Sequence, residues 1–406
     1  MARALLVLLH RWTGLAMAGF LIIVGGTGSL LAFYGELNHL LAPELYADLP
    51  GTAGLDAAAL AQRAEALAPN GQVNTVYFGY DSLVEMSMES KSGAAPLGFD
   101  YIYLDRRTGA ELGRLFWGAF PTTRAGVMPF VYRVHMTLAA GEIGAWLLGL
   151  TALVWTLDCF VAFYLTLPAA GERSRKSFLA RWKPAWLVKV AGSFYRVNFD
   201  LHRAGGLWLW AFLLIFAWSS VYMNLNGFYS RVMSLVFAYE QPYYFAPTVS
   251  PPRDIEPLSW ERAQSRGRQL MAEQARAHGF EIERDLALYI LRDKGVWEYR
   301  VRSSRDIGDK YGQTSVWFDA SSGALRDVSL PTGHRAGNTI TTWLYELHKA
   351  NVFGLTYRIF VSLFGLLIIM LSVTGVYIWW KKRSARRERG RRPAPGRARE
   401  REEAAC

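Results

Sequence analysis

Four apolar stretches constrain this chain more than any other feature: Trp12–Tyr34, Ile143–Leu167, Leu207–Leu225 and Ile359–Trp380. Each is long enough to cross a bilayer, which takes ~20 helical residues. Hydrocarbon offers no water to satisfy backbone N–H and C=O groups, so apolar runs of this length fold as helices. The first run is read as a span rather than a cleaved signal peptide. It is long, lacks a small-x-small cleavage site and resembles a later span. The predicted class is an α-helical membrane protein with four transmembrane helices and two small α+β domains outside the membrane.

Lysine and arginine set the orientation. The link between the second and third runs holds Arg173, Arg175, Lys176, Arg181, Lys183, Lys189 and Arg196; Lys381, Lys382, Arg383, Arg386 and Arg387 follow the fourth. Both segments are placed in the cytoplasm, with the N-terminus. The predicted order is helix 1 over 1–35, an outer domain over 36–134, helix 2 over 135–169 and a basic loop over 170–200. Helix 3 over 201–226, a second outer domain over 227–346, helix 4 over 347–383 and a basic, disordered tail over 384–406 complete it. This suits a bacterial inner membrane with both outer domains in the periplasm. The formal charge of +11 does not indicate nucleic acid, because the basic residues cluster beside apolar runs, where they meet membrane lipids. Two cysteines, Cys159 and Cys406, give no disulfide framework and no Cys-x-x-Cys-His for covalent haem. No Gly-rich nucleotide fingerprint follows a strand.

The chain repeats itself. Leu9-His10-Arg11-Trp12-Thr13-Gly14-Leu15 matches Leu201-His202-Arg203-Ala204-Gly205-Gly206-Leu207, each opening a span. Tyr132-Arg133-Val134-His135 matches Tyr345-Glu346-Leu347-His348, each preceding one. Between them Asp105-x-x-x-Gly109 matches Asp319-x-x-x-Gly323, and Arg124-Ala125-Gly126 matches Arg335-Ala336-Gly337. Each match is weak alone; their shared order is what indicates a tandem duplication. In the first outer domain a helix is predicted over Leu55–Leu67, with strands near Val73–Tyr80, Leu83–Ser90 and Phe99–Leu104. In the second, Ser259 caps a helix running to about Ala277, with strands near Leu286–Arg292, Trp297–Arg302 and Thr314–Phe318. The Asp-x-x-x-Gly segments read as tight turns. Parallel repeats in a membrane are related by a pseudo-twofold axis along its normal.

That axis brings His10 near His202 on the inner side and His135 near His348 on the outer side. Two imidazoles from different helices are the axial ligand set of a b-type haem. Gly14 and Gly206, four residues after His10 and His202, leave room on the same helical face for a flat macrocycle. Ala139 stands in that relation to His135, and Val352 to His348. Arg11 and Arg203 are the candidate propionate partners of the inner pair. Arg133 and Lys349, with Arg358 nearby, flank the outer pair. A lone interfacial histidine is usually a polar anchor; four in symmetry-matched pairs favour ligation. Two histidines alone leave a mononuclear zinc or iron site short of ligands. His39 and His278 have no matched partner, and His334 is a weaker candidate for the outer haem or a substrate. Asp158, the acidic residue inside a span, serves either proton movement or a bond to a neighbouring helix. Trp146, Trp155, Trp208, Trp210 and Trp218 line an electron path or, more commonly, pack.

At these residues the chain resembles the PepSY-associated transmembrane family. The resemblance rests on His10-Arg11-Trp12-Thr13-Gly14-Leu15, the two Asp-x-x-x-Gly turns, and Leu347-His348 leading to Leu371-Ser372-Val373-Thr374-Gly375-Val376-Tyr377-Ile378-Trp379-Trp380-Lys381. It covers nearly the whole chain through Arg383. Span three departs: Ala217-Trp218-Ser219-Ser220 stands where span one has Gly26-Thr27-Gly28-Ser29. Some members resemble di-haem reductases of ferric siderophores. The resemblance therefore implies two b-type haems and a transmembrane oxidoreductase. Electrons from a cytoplasmic or quinol donor would pass to a periplasmic ferric siderophore, releasing its iron. No acid–base dyad is evident, and none is needed. The alternative is a non-enzymatic module whose outer domains bind a peptide or protein partner.

Overall fold

The computed structural model describes residues 2–46, 54–78, 83–169, 176–245 and 256–391. Arg173, Arg175, Tyr80 at the end of the first predicted strand, and the tail beyond 391 lie outside them. The chain forms two compact units. Residues 1–26, 151–217 and 363–406 make the first; 27–150 and 218–362 make the second.

The element order repeats as the motifs do. Helix α1 (Ala2–Leu31) and the short α2 (Tyr34–Leu41) lead to α3 (Ala57–Leu67) and strands β1 (Gly71–Phe78), β2 (Leu83–Ser90), β3 (Tyr101–Asp105) and β4 (Glu111–Leu115). Helix α4 (Val127–Thr137) then runs into α5 (Gly141–Thr166). After the short α6 (Phe178–Trp182), helices α7 (Phe194–Trp208), α8 (Trp210–Asn224) and α9 (Asn226–Val236) open the second copy. It continues with α10 (Trp260–His278), β5 (Ile282–Leu291), β6 (Val296–Ser303), β7 (Thr314–Asp319), β8 (Leu325–Ser329), α11 (Ala336–His348) and α12 (Gly354–Arg391).

Helices α1, α5 and α12 are each long and apolar enough to cross a membrane, and the α7–α8 pair passes the same test together, bent by 69°. The third predicted run, Leu207–Leu225, therefore begins inside a helix that starts at Phe194 and breaks at Leu209. No proline marks the break. Trp208 Nε1 donates to Trp186 O on one side of it, and Trp210 Nε1 to Cys159 O on the other. Leu5, Leu9, Trp12, Trp146, Leu150 and Leu363 leave large apolar side chains exposed on these helices, as a lipid-facing surface requires.

The two outer domains do not carry separate sheets. Their strands form one antiparallel sheet in the order β4-β3-β2-β1-β5-β6-β7-β8. The copies join at β1 and β5, where Thr75 faces Tyr289 and Tyr77 faces Ala287. Each of these strands would otherwise be an edge with unpaired N–H and C=O groups; pairing them removes both edges at once. Helices α3 and α10 cover one face. Leu60, Ala61, Ala64, Leu270 and Met271 pack there on Val76, Met86, Ile102, Trp297, Val316 and Phe318. Gly267 lets α10 approach closely, since a Cβ there would lie 2.6 Å from that of Tyr299. The alternate strand positions, including Tyr77, Glu85, Tyr101, Tyr289 and Arg300, belong to the opposite face.

Helix caps and turns follow the sequence signals. Asp56 and Ser259 cap α3 and α10, accepting from the N–H groups of Ala59 and Arg262. Asp105 Oδ1 accepts from the N–H groups of Arg107 and Thr108 and from the Thr108 hydroxyl. Asp319 Oδ1 does the same for Ser321 and Ser322. Gly109 and Gly323 close these turns at φ +68° and +71°, where a side chain would be strained.

Candidate functional site

The four repeat-matched histidines meet as two pairs, one in each unit. In the first, His10 on α1 and His202 on α7 have ring centroids 6.1 Å apart, inclined by 53°. His10 Nδ1 lies 3.0 and 2.9 Å from the two oxygens of Asp158 on α5. His202 Nδ1 lies 3.0 Å from Leu371 O and 3.1 Å from Thr374 Oγ1, both on α12. A carboxylate and a carbonyl only accept, so both Nδ1 atoms carry the proton and each Nε2 keeps its lone pair. No atom lies within 4 Å of where a Cβ would stand at Gly14 or Gly206.

In the second pair, His135 and His348 have centroids 6.2 Å apart, inclined by 67°. Their Nδ1 atoms meet hydroxyls: Thr27 Oγ1 at 3.0 Å and Ser219 Oγ at 2.7 Å. Thr27 and Ser219 each stand 17 residues after the first-pair histidine of their own copy. The departure seen in span three thus keeps the hydroxyl in place and replaces only the glycine that follows it. The connectors after these histidines are strained. Among the described residues, the non-glycine residues with positive φ are Leu138, Ala139, Ala350 and Phe353, each costing about 1–3 kcal/mol. Ala139 therefore does not share a helical face with His135, contrary to the sequence expectation, because α4 has already ended at Thr137. Val352 likewise sits in a connector, buried, rather than one turn along a helix from His348.

Two glycines press on one ring of each pair. A Cβ at Gly28 would lie 3.0 Å from His135 Cε1, and one at Gly375 would lie 3.1 Å from His202 Cε1. Each follows the threonine that bonds the same ring. The family model described as the PepSY-associated TM region matches residues 7–382. The chain belongs to the PepSY-associated transmembrane family. It is accordingly a membrane protein, built in this structure from apolar helices and an antiparallel sheet. No curated protein matches it.

Other residues singled out in this family member fall as follows. Arg11 stacks over Trp12, and its Nε is buried without a partner. Arg203 is committed elsewhere: its Nη2 donates to Pro184 O and to the fully buried Asp200, which also takes Arg196, although its Nε stays unpartnered. Lys349 stacks on Tyr311 and Tyr345 at 4.8 Å. Arg133 reaches Gly118 O at 3.4 Å. Arg358 pairs with Glu36 and donates to Ala32 O. His334 meets His278, ring centroids 5.5 Å apart, and His39 stacks on Tyr46. Trp210 packs on Phe160 and Phe163, Trp218 on Tyr229. Glu346, two residues before His348, is buried and accepts from Gln313 and Asn351; burial still pushes its carboxyl above the ordinary value.

Sequence reasoning missed the role of Thr27, Ser219 and Thr374. Their signal was present, since a hydroxyl recurs at a fixed distance from each histidine. Asp158 was found by its charge, and the bond to a neighbouring helix is the alternative that the structure contains.

Proposed function

We propose that this protein is a multi-pass electron carrier of the bacterial inner membrane that holds two b-type haems, one at each histidine pair. The ring spacing carries the reading. Two metal–nitrogen bonds of ~2 Å plus roughly 1.1 Å from each nitrogen to its ring centre put axial imidazoles about 6 Å apart. The two pairs stand at 6.1 and 6.2 Å. The donor chemistry also suits haem. Each described Nδ1 is anchored, which orients the ring as axial ligands require. Gly14 and Gly206 leave open space beside the first pair, and the unpartnered Nε of Arg11 suits an anionic propionate. Bound haem supplies a one-electron couple; the chain's own residues hold the rings, fix their tautomers and exclude water.

Both termini and the basic link face the cytoplasm in this reading, and the sheet faces the periplasm. Electrons enter from a cytoplasmic or quinol donor and leave to a periplasmic acceptor. A ferric siderophore suits the resemblance, because ferrous iron is held less tightly by hard oxygen donors. The sheet face bearing Tyr77, Glu85, Tyr101, Tyr289 and Arg300 supplies phenols and charge for such a ligand. Purified protein from haem-replete cells should show a sharp Soret band and an α-band that appears on reduction. A colourless preparation would overturn this and favour a membrane-anchored module that binds a peptide or protein partner.

A further inference from the structure

The two histidine pairs share a ring spacing but not an acceptor set, and Asp158 is the difference. It lies in a helix of an apolar unit, about one-tenth exposed, with both oxygens on His10 Nδ1 and one also taking the Thr13 hydroxyl at 3.2 Å. The remaining three rings bond to neutral groups: Leu371 O and Thr374 Oγ1, Thr27 Oγ1, and Ser219 Oγ. A carboxylate on an axial histidine's Nδ1 makes the imidazole a stronger electron donor, which favours the ferric over the ferrous state. Its negative charge acts in the same sense, strongly so in a low-dielectric setting. Arg203, the cation beside His202, is already paired with Asp200. Arg11 opposes Asp158, but it stacks on Trp12 and does not bond to His10. At the second pair the flanking charge is a cation, Lys349, held against Tyr311 and Tyr345.

We infer that Asp158 is a positioning residue that sets the haem at His10–His202 to a lower reduction potential than the haem at His135–His348, so that electrons run from the first site to the second. The inference rests on the two-haem reading. The step is a single electron transfer: the iron at the first site is oxidised, the iron at the second is reduced by that electron, and neither a proton nor a co-reactant is consumed. Proton movement is thus not the role of Asp158.

The test is a reductive titration of full-length purified protein, followed at the α-band. His135→Ala isolates the first haem and His202→Ala the second. The first should titrate at the lower potential. Adding Asp158→Asn to His135→Ala should shift the first haem's reduction equilibrium at least tenfold toward ferrous, ~59 mV for a one-electron couple. The same substitution in His202→Ala should leave the second haem unmoved. An unchanged first-site potential, or a first site that titrates above the second, overturns the inference while leaving two haems in place. If Asp158→Asn loses its haem, Thr27→Asp in His202→Ala decides: a carboxylate on His135 should shift the second haem at least tenfold toward ferric, and no shift overturns the inference. Wild-type protein without haem would instead fail the two-haem reading itself.

Discussion

The His10–His202 and His135–His348 pairs are copies of one device placed in different surroundings. Ring separation differs by 0.1 Å between them. Their supports differ far more. The first pair projects from long helices, takes a carboxylate and a carbonyl at Nδ1, and has open space at Gly14 and Gly206. The second pair ends two short helices, takes only hydroxyls, and is followed by strained connectors. Duplication preserved what holds the rings in register and let the electrostatics diverge. Spacing is therefore the shared requirement, and the acceptor set is where two similar sites acquire different roles.

The glycines offer the sharpest break. Gly28→Leu should displace His135 and remove the second haem alone, because its side chain would start 3.0 Å from the ring. Gly375→Leu should remove the first alone. Haem content measured in His135→Ala and His202→Ala backgrounds separates the two, and loss of the wrong haem from either variant would break the equivalence of the pairs.

The turns test likeness instead. Asp105→Ala and Asp319→Ala each strip the acceptor from several buried donors, and each should cost about 1–3 kcal/mol of stability near pH 7. Thermal denaturation should show similar losses if the copies are built alike. Asp319 carries a further pH signature. Burial works against its charge, yet the Ser322 N–H, Arg326 and the serine hydroxyls hold its carboxyl well below the ordinary value. A lowered folded value stabilises above the unfolded one, so the cost of Asp319→Ala should shrink as pH falls below ~4.

Glu85 has the opposite sign. Burial among strand tyrosines pushes its carboxyl up to about 7, so the folded state holds its proton longer than the unfolded chain does. The resulting penalty is absent at pH 4 and grows as pH rises towards 7. Glu85→Gln should leave stability unchanged at pH 4 and raise it by roughly 1–2 kcal/mol at pH 8, after allowance for partial solvent access. Equal melting of both proteins at pH 8 would remove this asymmetry from the second unit. The smallest effect belongs to the hydroxyls. Thr27→Val and Ser219→Ala should each weaken haem retention at the second site by about 0.5–1.5 kcal/mol, a several-fold change, read by haem transfer to an acceptor protein.

Repetition made the histidine pairs legible, because a parallel repeat forces equivalent residues together. The turns and caps were legible because Asp-x-x-x-Gly and Ser259 have one dominant local solution. Joining of the sheets was not. Whether β1 pairs with β5 depends on two strands more than 200 residues apart, and no local pattern encodes it. Strands β4 and β8 were missed because Glu-Leu-Gly-Arg-Leu and Leu-Arg-Asp-Val-Ser show no clean alternation and sit at the edges. Ala139 was misread because helical spacing was extended across a break that neither glycine nor proline announces at that residue. The Nδ1 acceptors depend on helix rotation, which charge reveals for Asp158 and nothing reveals for Thr374.

The most direct measurement is the haem-to-protein ratio of wild type, His135→Ala and His202→Ala, each purified from haem-replete cells. The expected ratios are two, one and one, with the remaining haem in each variant keeping its low-spin spectrum. Two haems in either variant, or none in the wild type, would contradict the assignment of one haem to each histidine pair.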